Sequence, residues 1–153
     1  MTDSAEMLTA DQERRLAINL FNRVWDLLDA DGERSVAAED EMVHAAHASR
    51  YHWGNVGEPV NRIRGEWQIS RVYAVLGRAE PALHHAHRCL QLCEESGIGD
   101  FAFAQEALAR AHHVAGNEDE ADAHTAKAAE LGAQIADDDD RDHFFEELAT
   151  IGG

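Results

Sequence analysis

Glycine punctuates this chain at short intervals, and between the glycines apolar residues recur every three or four positions. That combination leaves room for helices joined by tight turns and for little else. Leu16, Leu20, Val24 and Leu27 mark a first helix from Asp11 to about Ala30, closed by Asp31 and Gly32. Ser35 is placed to cap a second helix, which runs through Trp53 with Glu39, Asp40 and Glu41 in its early turns and breaks over Gly54, Asn55, Val56 and Gly57. Pro59 opens a third helix to about Leu76. Its stripe of Ile63, Trp67, Ser70 and Ala74 lies beside a second stripe of Ile69, Val72, Tyr73 and Leu76. A face that wide calls for packing against two neighbours.

A fourth helix spans about Ala79 to Glu95, and a turn follows over Ser96, Gly97, Ile98 and Gly99. Asp100 is expected to cap a fifth helix that ends at Gly116. Asn117 is expected to cap an alanine-rich sixth to about Ile135. The acidic run Asp137 to Asp140 reads as a linker or helix start, and Phe144, Phe145, Leu148 and Ile151 form a short closing helix. No segment alternates as a strand does, and short connections between long helices imply antiparallel neighbours. The expected organisation is one all-α domain over residues 1–153, with a disordered N-terminus over 1–10 and a capping helix within 137–153.

Two stretches superimpose. Tyr73, Gly77 and Ala82 are followed 39 residues later by His112, Gly116 and Ala121. Glycine permits the turn, and a small alanine five residues on lets two helices approach closely. Helix, glycine turn and alanine at this spacing resemble the tetratricopeptide-repeat superfamily over about residues 63 to 135, with Cys89 and Ala128 at the later small-residue position. The period exceeds the usual one, and His112 stands where the family favours an aromatic. The resemblance implies stacked antiparallel helical hairpins, a tetratricopeptide-like right-handed array of about seven helices.

Thirteen basic against thirty acidic residues give a formal net charge of −17, which argues against nucleic acid or anionic membranes as partners. Protonating all ten histidines brings it to −7, so assembly can depend on pH. No apolar run approaches the roughly 18 residues of a membrane span. The first ten residues lack the basic start and apolar core of a signal peptide. Cys89 and Cys93 are neighbours on one helical face and read as reduced core residues. A cytoplasmic location is expected.

The resemblance also implies a concave groove lined by the first helix of each hairpin, a surface that commonly binds a peptide. It places Arg64, Trp67 and Arg71 beside Phe103, Arg110 and His113. Guanidinium forks pair with carboxylates at two points, and an aromatic neighbour supplies an anchor. The alternative is that these arginines are satisfied by Glu66, Glu106 and other local acids.

Asp40, His44, His47 and Tyr51 lie along one side of the second helix. His44 and His47 are the candidate metal ligands, but a zinc site needs three or four converging donors, and exposed histidines beside acids are the plainer reading. No nucleophile motif, phosphate-cradling glycine loop or cofactor fingerprint occurs, so neither an enzyme nor a resident cofactor is expected. The sequence thus points to a non-catalytic scaffold or adaptor that binds a protein or peptide segment. A self-paired dimer is a second way to cover terminal apolar faces. The competing class is a metal- or small-ligand-binding helical protein.

Overall fold

The computed structural model describes residues 7–97 and 100–152; residues 1–6 of the expected disordered N-terminus and Ile98 and Gly99 of the expected turn lie outside them. Seven helices occupy the described residues, and no strand occurs among these. They are α1 (Ala10–Asp29), α2 (Val36–Val56), α3 (Pro59–Val75), α4 (Ala79–Ser96), α5 (Phe101–Val114), α6 (Glu118–Gly132) and α7 (Asp138–Leu148). None is long and apolar enough to cross a membrane.

The helix starts are chemical. Thr9 and Gln12 form a reciprocal capping box at the start of α1, Ser35 accepts from the Ala38 N–H, and Asp137 accepts from the Asp140 N–H. The acidic run before Phe144 is therefore the first turn of α7, where carboxylates suit the helix dipole. Two expected caps take another form. Asp100 and Asn117 hold the N-cap positions of α5 and α6 without capping bonds; their side chains go instead to Arg64 and His112. Within the expected break over Gly54 to Gly57 it is Gly57 that ends α2, which continues to Val56, and α6 stops at Gly132 rather than near Ile135.

Successive helices pack as neighbours, α1 on α2, α3 on α4 and α5 on α6. Side-chain bonds step in opposite directions along paired helices, from Arg23–Glu41 to His52–Glu13 across α1 and α2. Those pairs are antiparallel. α3 and α5 also touch, and here the links step together, Arg64 to Asp100 and Trp67 to Glu106, so these two run parallel. Of the expected wide face of α3, Ile63, Trp67, Ile69, Ser70, Val72 and Ala74 are buried, and Tyr73 and Leu76 partly so.

Alanine and glycine set the close spacing. A Cβ on Gly65 would stand 2.8 Å from the Arg50 side chain, and one on Gly132 would run into the Phe144 ring. The principal core lies among α3, α4 and α5, and includes Ile63, Trp67, Leu108 and the free thiols Cys89 and Cys93. A second core, around Val24, Met42, Ile69 and Val72, joins α1, α2 and α3. Phe144 and Leu148 anchor α7 against α5 and α6, each burial worth about 2 kcal/mol.

Candidate functional site

The parallel placement of α3 and α5 brings equivalent positions of the two hairpins into contact. Trp67 donates its indole N–H to Oε1 of Glu106, 39 residues on, at 2.8 Å. Oε2 of the same carboxylate, which is 1% exposed, accepts two bonds from Arg110 at 2.9 and 2.6 Å. A buried carboxylate is tolerable only with such partners. Arg110 reaches further, donating to the backbone carbonyl of Glu147 and to Oγ1 of Thr150. Its equivalent, Arg71, donates to Oε1 of Glu147 at 3.1 Å and lies 5.9 Å from the centre of the Trp25 ring.

Two of the three expected groove arginines, Arg71 and Arg110, are therefore not free. The chain's own α7 covers them, Glu147 offering its carboxylate to Arg71 and its backbone carbonyl to Arg110. Phe103 packs edge-on to Phe144 of the same helix at 5.0 Å. Of the acids expected to satisfy these arginines, Glu106 does so, whereas Glu66 pairs with Arg50 and His85. His113 sits at the far end of α5, bonded to Glu118, and does not join the others.

Beside the covered patch a cavity of about 620 Å³ stays open, within the size range of ligand pockets. Arg64, Trp67 and Phe103, three of the six expected residues, line it. Phe21 and Trp25 of α1 complete the aromatic wall, and Asp100, Asp140 and His143 stand at its polar edge. Adjacent rings touch in sequence: Phe21 to Trp25 at 6.4 Å, Trp25 to Trp67 at 5.5 Å and Trp67 to Phe103 at 5.6 Å. Arg64, the exposed member of the arginine trio, bonds Asp100 at 3.2 Å across the mouth.

Phe21 and Trp25 were readable in part. They lie four apart on a face of α1 distinct from the stripe of Leu16, Leu20, Val24 and Leu27, and a second aromatic face is a signal of its own. Asp140 and His143 gave no signal, because α7 folds back onto α5 through Phe144.

The second-helix histidines sit elsewhere. His44 is exposed, while His47 is half-buried and its Nε2 lies 2.9 Å from the Tyr73 hydroxyl. Among the described residues no group of three His, Cys, Asp or Glu side chains is placed to hold a metal ion. What His47 joins is a polar chain: Tyr73 stacks on His85, His85 bonds Glu66 at 2.7 Å, and Glu66 accepts from Arg50 at 2.8 Å. Burial pushes the Glu66 carboxyl up, but His85 and Arg50 outweigh it and hold it below the ordinary value. Burial and the neighbouring His85 hold the His47 imidazole low. Comparison with known protein families, with curated proteins and with solved structures finds no match to this chain.

Proposed function

We propose that this protein is a non-catalytic interaction module, a tetratricopeptide-like right-handed array whose concave α1–α3–α5 face receives a segment of another protein. One observation carries the reading: an open aromatic cavity lies on the face where the repeat register predicts a groove, directly beside a patch that already holds a helix of the chain itself. A surface that takes Phe144 and Glu147 in cis has the apolar and guanidinium chemistry to take a similar segment in trans. Rigid aromatic side chains around a cavity are the usual anchors of such recognition.

Arg71 and Arg110 are structural in this arrangement, so a test must use residues that only line the opening. Affinity capture with the wild type beside the Phe21→Ala and Arg64→Ala variants serves this purpose. A partner held by the wild type and lost by both folded variants supports the face. A partner retained by both rejects it.

A further inference from the structure

The walls and the edge of the open cavity favour one sign of charge. Four rings, those of Phe21, Trp25, Trp67 and Phe103, line it, and adjacent planes are inclined by 69°, 38° and 86°. The wall is thus folded and not flat, and it offers a bound group ring surface in several orientations. Aromatic faces carry negative quadrupole potential and attract cations. The wall already does so once: the Arg71 guanidinium stands over Trp25. The lining carboxylates are those of Asp100 and Asp140, the lining guanidinium is Arg64, paired with Asp100 at 3.2 Å, and His143 stands beside them. Asp137, Asp138 and Asp139 precede Asp140 in exposed positions, Asp138 being paired with Arg141, and the whole chain is strongly negative.

An anion would meet ring faces and carboxylates, both repulsive. A neutral apolar group would gain burial alone. A small ammonium with its hydration shell intact would lose much of it on entry. An alkylated ammonium gains burial, ring attraction and the carboxylates together, at lower desolvation cost.

We propose that this cavity is a binding site for a methylated ammonium group. The volume exceeds what that group needs, which leaves room for the stem of its carrier. The carrier is either a small molecule or a methylated lysine of a partner, and the site stands whether or not the face also serves as a protein groove.

The test follows the indole N–H resonances of Trp25 and Trp67 by NMR, with Trp53, which does not line this cavity, as internal reference. Tetramethylammonium is titrated beside 2,2-dimethylpropanol, a neutral water-soluble analogue of similar shape that carries one added hydroxyl. The expected result is movement of Trp25 and Trp67 but not Trp53, with the cation bound about tenfold more tightly than the alcohol. Asp140→Asn should weaken cation binding about threefold, and Arg64→Gln, which frees Asp100, should strengthen it by about as much. Equal binding of alcohol and cation, or shifts confined to Trp53, overturns the proposal. Choline and a trimethyl-lysine peptide then identify the carrier by which binds more tightly than tetramethylammonium. A protein partner retained by both Phe21→Ala and Arg64→Ala, with cation binding to the wild type intact, would count against the groove reading alone.

Discussion

The hairpins α3–α4 and α5–α6 repeat one geometry with different chemistry. Gly77 and Gly116 turn with φ of 75° and 81°, and the Arg78 and Asn117 N–H groups return to the carbonyls of Tyr73 and His112. Tyr73 stacks on His85 in the first, and His112 on His124 in the second. His85 bonds Glu66 at 2.7 Å, and His124 bonds Gln105 at 2.6 Å. Every one of these positions is offset by 39 residues. The first hairpin places a carboxylate under its histidine and draws Arg50 from α2. The second places a neutral amide there, and burial with nearby His112 holds the His124 imidazole low. Backbone geometry thus follows the glycine and the small residues, while the polar positions vary.

The largest expected effect is at the seam where the two hairpins meet. Glu106→Ala leaves the buried Arg110 guanidinium and the Trp67 N–H without their shared acceptor and should cost about 3–5 kcal/mol, read from the urea midpoint. A loss under about 1 kcal/mol would mean the seam is not dry and joined as described. Next, Glu66→Gln gives the first hairpin the chemistry of the second and strips Arg50 of its partner; about 1–3 kcal/mol should be lost. The reciprocal Gln105→Glu should raise the His124 pKa above its wild-type position, measurable by NMR titration. An unmoved His124 would contradict the shared geometry.

The pH dependence has a definite sign. His47 and His124 have folded pKa values below 6.5, so folding favours their neutral forms. Their contribution is complete above about pH 6.5 and declines as pH falls through the folded values. Glu66, held low, adds a further loss below about pH 4.5 as its carboxylate is protonated. Urea midpoints should therefore decrease from pH 8 to 5; a rise over that interval would contradict the assignment. Gly77→Ala and Gly116→Ala should each cost about 1 kcal/mol, and equally, because a Cβ meets nothing within 4 Å at either and only the positive φ resists it. Cys89→Ala, which copies Ala128, should cost least of all, at about 1 kcal/mol or less.

Much of this fold was legible in the sequence. The helices follow from apolar spacing, the hairpin turns from Gly77 and Gly116, and the equivalence of the two units from Ala82 and Ala121. Three residues of the open cavity, Arg64, Trp67 and Phe103, follow from the repeat register. Legibility ended where distant segments meet. Nothing local told that Glu147 would return to Arg71 and Arg110, since that contact depends on α7 folding back through Phe144. Asp100 holds the expected N-cap position of α5, but its carboxylate accepts from Arg64 of a parallel helix and makes no capping bond.

The central claim is that α3 and α5 lie parallel and in register, so that equivalent positions touch and the aromatic face is continuous. A double-mutant cycle between Trp67→Phe and Glu106→Met tests it most directly, because Phe keeps the ring and removes only the N–H. A coupling of about 1–2 kcal/mol in unfolding free energy is expected. Additivity within about 0.3 kcal/mol would contradict the contact and, with it, the register on which the cavity depends.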